Sequence, residues 1–336
     1  MNFDLSICIP TLNRATFIGE TLDSIVSQID ERTEVVIVDG GSRDGTREIV
    51  ESYQAKFPQI RYCLSPLSTS GPSNSGFDQD CNLAVELSQG KYCWLMTDDD
   101  LLLPGAVREV LEAIKLPYAL IIVSVEIKNV DLTRTFTACR PDLDADRSFA
   151  PEEWQSFTEL TARHLTFVGA LIIDRQLWLS RDRAKYFGTG FVHLGVIFDQ
   201  PVDRASLVIA KPLVTIRLGN AQWSSRAFQI WMFGWPKLMW SFESLSREVK
   251  QKITPEKPWD NLKTLAVGRA FGTYSFNEYQ LFLRDKFDNR MRQHLARLIA
   301  LTPRLLFVLA AYLYAKTQPS KQEMMLFELK QSLIQK

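Results

Sequence analysis

Glu34-Val35-Val36-Ile37-Val38 restricts the fold of this chain more than any other stretch. The run is almost wholly β-branched, with no polar alternation to give it a wet face. A strand of that kind belongs in a parallel sheet covered on both sides. The flanking sequence agrees. Leu5-Ser6-Ile7-Cys8-Ile9-Pro10 reads as a first strand stopped by proline. Phe17, Leu22, Ile25 and Ile29 then recur at helical spacing. After the second strand come a helix carrying Ile49, Val50 and Tyr53 and a third strand near Ile60-Arg61-Tyr62-Cys63. Alternation of this sort predicts an α/β fold with right-handed crossovers.

Ligands of such sheets bind beyond the carboxyl ends of the strands. Thr11 and Asp39 both stand at predicted strand ends, and so does the triplet Asp98-Asp99-Asp100, which closes the apolar run Tyr92-Cys93-Trp94-Leu95-Met96. Three carboxylates at an apolar strand tip are costly unless compensated. A hard divalent cation shared with a phosphate-bearing ligand would supply the compensation. The plainer alternative is a solvated acidic turn ahead of the helix at Pro104-Gly105. No Gly-x-Gly-x-x-Gly follows the first strand, where Pro10-Thr11-Leu12-Asn13-Arg14 stands instead, and no P-loop occurs.

The 336 residues fit one large domain or two smaller ones, and 46% hydrophobic content excludes wholesale disorder. Lys plus Arg equals Asp plus Glu at 39 each, which argues against a nucleic-acid binder working by bulk charge. The five cysteines lack zinc-ligand spacing and make a poor disulfide framework, so reduced thiols in a cytoplasm are expected. No signal peptide is visible. The apolar run from Leu305 to Ala315 falls short of the roughly 20 residues that span a bilayer.

Three motifs together resemble glycosyltransferase family 2. They are Pro10-Thr11-Leu12-Asn13-Arg14, Asp39-Gly40-Gly41-Ser42-Arg43-Asp44-Gly45-Thr46, and the triple aspartate followed by Pro104. Within that family the chain is similar to the abequosyltransferase-like branch, which builds O-antigen and related surface polysaccharides. The residues behind this are Gly90-Lys91-Tyr92-Cys93-Trp94, Gly188-Thr189-Gly190-Phe191-Val192-His193 and Lys211 to Asn220. The resemblance implies a GT-A fold: a mostly parallel central sheet flanked by helices, over residues 1–220, with a mainly helical region over 221–336. It implies a nucleotide-sugar donor and Mn²⁺ or Mg²⁺. Asp39 would bind the nucleotide base in a pocket lined by Pro10, Thr11 and Asn13. Asp98 would lie near the ribose, and Asp99, then Asp100, would hold the metal. Many relatives carry aspartate where Thr97 stands, so the choice among the three carboxylates stays open.

Arg217 and, more weakly, Arg14 are candidates to clamp the diphosphate, because guanidinium matches phosphate oxygens. For Arg217 the alternative is a strand-end salt bridge. Asp78 and Asp80 open a helix, either as favourable first-turn charges or as ligands of donor-sugar hydroxyls. His193 stands where the family usually keeps a carboxylate base. It is proposed to replace that base, or to bind metal or phosphate, against the alternative of a structural histidine. Asp199 is the fallback base. Residues 128–155 read as an irregular flap.

Beyond Asn220 the chain turns aromatic and then basic, with Arg284, Lys286, Arg290, Arg292, Arg297 and Arg304 ahead of the apolar run at Leu305. That order suits an anionic membrane surface as well as it suits a helical appendage packed on the catalytic domain. The expected function is metal-dependent transfer of a sugar to a hydroxyl of a saccharide acceptor, taken as lipid-linked, by a cytoplasmic enzyme peripheral to the inner face of the cell membrane. The rival readings are a sugar-phosphate nucleotidyltransferase and a non-catalytic saccharide-binding protein on a GT-A fold.

Overall fold

The computed structural model describes residues 3–66, 75–317 and 322–334. The Gly71–Asn74 part of the polar loop ahead of Asp78 lies outside them. The chain divides into two compact units, Met1–Arg217 with Phe242–Val249, and Leu218–Ser241 with Lys250–Lys336.

In the first unit β1 (Leu5–Thr11) leads through α1 (Ile18–Val26) to β2 (Thr33–Asp39), and α2 (Thr46–Gln54) leads to β3 (Ile60–Leu64). Then come α3 (Ser75–Leu87), β4 (Tyr92–Leu95), β5 (Leu101–Leu102) and α4 (Ala106–Ala113). β6 (Leu120–Asn129), β7 (Thr135–Arg140), β8 (Arg147–Phe149) and α5 (Trp154–Thr161) follow. β9 (Leu171–Asp174), α6 (Arg175–Ser180), α7 (Val192–Phe198) and β10 (Ser206–Leu218) complete it.

The main path of the sheet runs β3-β2-β1-β4-β9-β6-β10-β5. β1, β2, β3 and β4 are mutually parallel, whereas β9 runs antiparallel to both β4 and β6. Every residue of β1 and β2 is buried, as their β-branched composition requires of strands covered on both faces. Parallel pairing fixes Thr11 opposite Asp39. It also pairs Cys8 of β1 with Leu95, the last residue of β4, so the carboxyl ends of all three strands open on one edge.

Part of the expected flap is ordered sheet. β7 pairs with β6 across two register shifts, and β8 pairs with β10. β7 is half-exposed along its length, so it carries no run of apolar residues to announce it. β9 starts at Leu171, directly after a tight turn over Val168–Ala170. Gly169 is needed in that turn, because a Cβ there would lie 2.4 Å from the Phe167 ring.

The second unit is helical. α8 (Ala227–Gln229) runs through a π-helical turn into α9 (Trp235–Ser241), and α10 (Arg247–Ile253) starts in the first unit's segment. α11 (Leu262–Phe271), α12 (Phe276–Glu278), α13 (Arg290–Leu301), α14 (Arg304–Ala315) and α15 (Gln322–Ile334) follow. Its aromatics pack on one another: Phe228 stacks on Tyr274 at 5.3 Å and Phe233 on Trp259 at 4.9 Å.

Candidate active site

Asp39 ends β2 with its side chain turned back on its own loop. Oδ1 accepts the N–H of Gly41 at 2.9 Å, the N–H of Ser42 at 2.7 Å and the Ser42 hydroxyl at 2.8 Å. Oδ2 accepts the Tyr62 hydroxyl at 2.9 Å, a partner on β3 that nothing in the sequence singles out. Gly41 sits at φ +99°, where a side chain would be strained. Gly40 has a different duty: a Cβ there would meet Asp80 Oδ2 at 3.0 Å, so glycine lets that carboxylate approach the Asp39 loop.

The loop after β1 is stapled to the loop after β2. Asn13 adopts φ +53°, a conformation Asn tolerates better than most residues. From there its N–H donates to Ser42 Oγ at 2.8 Å and its Oδ1 accepts the N–H of Arg43 at 2.9 Å. Arg14 N–H donates to Thr46 Oγ1 at 2.7 Å, and Ala15 N–H to Asp44 at 3.0 Å. Asn13 is therefore a clamp between two loops. Pro10 and Thr11 are buried in β1 beside them.

The three aspartates converge on the same edge. Arg14 pairs with Asp98 at 3.2 Å and with Asp99 at 3.1 Å, and the side chains of all three are only 12% exposed. Asp98 also accepts the N–H of Leu12 at 3.4 Å, which joins the β4 tip to the β1 loop. Asp100 is fixed from both sides, by the N–H of Arg217 at 2.7 Å and by the Thr97 hydroxyl at 2.5 Å. Burial, and next the charge of Asp99, push the Asp98 and Asp100 carboxyls well above the usual range, while Arg14 draws Asp98 part of the way back. Ionising all three carboxylates at once would put more negative charge here than the one guanidinium offsets.

That excess suits a hard cation, which takes carboxylate oxygens. Among the described residues no group of three His, Cys, Asp or Glu side chains is arranged to hold a metal ion by itself. A cation here would take one or two carboxylates and complete its shell with substrate phosphate and water, as Mg²⁺ commonly does.

Arg217 is placed beside the cluster, but its guanidinium is already engaged. It bonds Glu20 of α1 and the carbonyl of Val130, and it lies over the Phe17 ring at 5.5 Å. The strand-end salt bridge is the alternative that this geometry favours over a phosphate clamp. Arg14, ranked lower from the sequence, is the arginine that faces Asp98 and Asp99.

His193 lies on α7 and is 1% exposed. Its Nε2 is 2.8 Å from the Leu165 carbonyl, so Nε2 carries the proton and donates. Nδ1 is buried with no hydrogen-bond partner among the described residues. Burial lowers its pKa to about 4. This is the setting of a core histidine, and it argues against the base role expected from the sequence. Asp199, at the C-terminal end of the same helix, pairs with Lys185 at 2.8 Å and accepts the Tyr186 hydroxyl. Burial raises its pKa, but those two partners outweigh it and hold the carboxyl below its usual range. Of the two candidates, Asp199 is the one that meets solvent.

Asp78 is engaged outside its own helix. Its oxygens accept the N–H of Gly190 at 2.8 Å and of Val192 at 3.0 Å, so it fixes the loop that enters α7. The Gly188-Thr189-Gly190 motif is thereby tied to α3 across more than a hundred residues of sequence, a pairing that spacing alone does not reveal.

The model of Glycosyl transferase family 2 matches residues 6–182. Among characterised proteins, the abequosyltransferase of Salmonella typhimurium is 25% identical over 280 residues, covering 76% of this chain and 81% of that protein. A Campylobacter jejuni GalNAc(5)-diNAcBac-PP-undecaprenol β-1,3-glucosyltransferase is 30% identical over 118 residues, covering 34% of this chain and 36% of that protein. Among solved structures, residues 1–349 of Staphylococcus aureus TarS bound to UDP-GlcNAc superpose with a TM-score of 0.53 at 16% identity, covering 95% of this chain and 90% of that one. The Pyrobaculum calidifontis mannosyltransferase PcManGT, in complex with GDP-Man and Mn²⁺, gives a TM-score of 0.52 at 15% identity over 99% of this chain and 87% of that one. The fold is that of the GT-A glycosyltransferases.

Proposed function

The chain belongs to glycosyltransferase family 2, and we propose that it moves a sugar from a nucleoside diphosphate donor to a hydroxyl of a lipid-linked saccharide acceptor in surface-polysaccharide synthesis. The observation that carries this reading is the convergence of Asp39, Arg14 and Asp98 to Asp100 on one edge of the sheet. The relative named for a PP-undecaprenol substrate supports the acceptor class. Such an acceptor would bring the enzyme to the cytoplasmic face of the cell membrane.

In this reading the stapled loops after β1 and β2 form the base pocket. Pro10, Thr11 and Asn13 line it, and Asp39 keeps acceptor capacity on Oδ2 for a base N–H. Asp98 faces the ribose. Asp99 holds Mn²⁺ or Mg²⁺; Asp100, with an oxygen on each of Arg217 N–H and Thr97, is the brace beside it and the second candidate ligand. The bound cation would neutralise charge developing on the departing diphosphate. Arg14 adds a guanidinium next to the same oxygens. Arg217 acts through position: its N–H aims Asp100, and its side chain ties β10 to α1. Asp199 takes the acceptor's proton.

A panel of nucleotide sugars with Mn²⁺ tests the reading. Metal-dependent release of nucleoside diphosphate from one donor is the expected result. No release from any donor, with no thermal shift by any of them, would count against it.

A further inference from the structure

α14 is built inside out. Its small residues Ala311 and Ala315 face inward, Ala311 packing with Ala270, Leu329 and the Phe307 ring, while all four of its leucines face outward. Leu305 is 71% exposed, Leu306 60%, Leu309 57% and Leu313 56%. α13 continues the surface with Met291, Leu295 and Leu298, spaced four and three residues apart and all exposed. The two helices meet at a 96° bend. Monomeric proteins rarely leave so much contiguous apolar surface in water without a use for it.

The charge around this surface has one sign. From Asn289 to Thr317 there is no carboxylate, while Arg290, Arg292, Arg297, Arg304 and Lys316 are all cationic. Arg304 is tied to Ala270 and Ser332, but Arg290, Arg292, Arg297 and Lys316 are exposed. Two lysines lie over the tyrosines at the far end of α14, Lys316 at 4.8 Å from Tyr312 and Lys263 at 5.0 Å from Tyr314. Tyrosine with a neighbouring lysine, one end apolar and one end wet, suits the headgroup layer of a bilayer.

We propose that the α13–α14 elbow docks the protein on an anionic lipid surface, lying in the plane of the interface rather than crossing it. α14 has 12 residues and is therefore about 18 Å long, against about 30 Å of hydrocarbon core. With α13 it reaches the length and composition of a span only as a pair broken by a 96° bend, a shape that suits an elbow lying flat better than a straight crossing. Leucines enter the acyl boundary while the arginines meet lipid phosphates. A second copy of the chain would bury the same leucines but would set these arginines against one another, which favours lipid as the occupant.

Flotation of the full chain with liposomes tests this independently of any transferase activity. Vesicles of phosphatidylcholine containing phosphatidylglycerol should carry the protein at low salt, and pure phosphatidylcholine should carry much less. Arg292→Glu with Arg297→Glu should weaken binding by more than about tenfold, since each cation near such a surface is worth roughly fivefold. Leu305→Glu with Leu309→Glu should abolish it; these side chains are exposed, so an unchanged circular dichroism spectrum is expected. Wild-type protein that stays unbound on anionic vesicles at low salt would overturn the proposal. So would a dimer in ultracentrifugation that Leu305→Glu with Leu309→Glu dissociates, if vesicles fail to compete with it.

Discussion

Asp99 shares its surroundings with the Arg14 guanidinium and with two carboxylates whose proton affinity it raises. Replacing it with asparagine keeps the shape and removes the charge. Asp99→Asn should lower turnover by about 10²- to 10³-fold, the usual scale for losing one preorganised electrostatic contact, with an unchanged melting temperature. Steady-state kinetics on the donor identified above checks this. His193 should behave in the opposite way. Removing its ring leaves the Leu165 carbonyl without its donor, which costs about 1–3 kcal/mol. His193→Ala should therefore unfold earlier in urea while the folded enzyme keeps near-normal kcat. A large fall in kcat at full stability would restore the histidine to the chemistry. The motif around His193 was readable from the sequence, but its burial was not: the ring's partner is the backbone carbonyl of Leu165, 28 residues away, which no side-chain pattern announces.

At the scale of elements, β1, β2 and β4 were legible because strands buried on both faces must be apolar throughout. β7 was not, since a half-exposed ribbon has no such requirement. The clamp of Asp78 on the loop entering α7 was invisible for another reason, since it joins segments far apart in sequence. It has a consequence for stability. Burial raises the Asp78 pKa to about 6 from its usual 3.8, against the pull of the loop N–H groups. A carboxyl raised in the folded state binds its proton more tightly there than in the unfolded chain. Its stabilising contribution is complete below the unfolded pKa and is lost as pH rises through about 6. Asp80 is raised to about 6 as well, by burial first, and adds to the same trend. The melting temperature of Asp78→Asn should then fall less than that of the wild type between about pH 4 and about pH 7. Equal falls measured by calorimetry would mean that Asp78 does not titrate in this window.

At the scale of the molecule, charge is divided although the total is zero: one cluster of carboxylates lies at the strand tips, and a run without any carboxylate lies on α13 and α14. Salt should separate the two regions. Raising ionic strength toward about 1 M shrinks the screening length to about 3 Å, so binding to anionic vesicles should weaken steeply. The buried strand-tip cluster is screened far less, and turnover on a water-soluble acceptor should change by less than about threefold. Matching losses in the two assays would tie both to one surface charge effect. The central claim is more local: carboxylates from adjacent strands need a cation before they can receive a diphosphate. Calorimetric titration of the donor's nucleoside diphosphate into the protein, with Mn²⁺ and with every divalent ion chelated, addresses it directly. Tight binding with Mn²⁺ that is lost on chelation and in Asp99→Asn is the predicted result; binding of equal strength in all three experiments would contradict it.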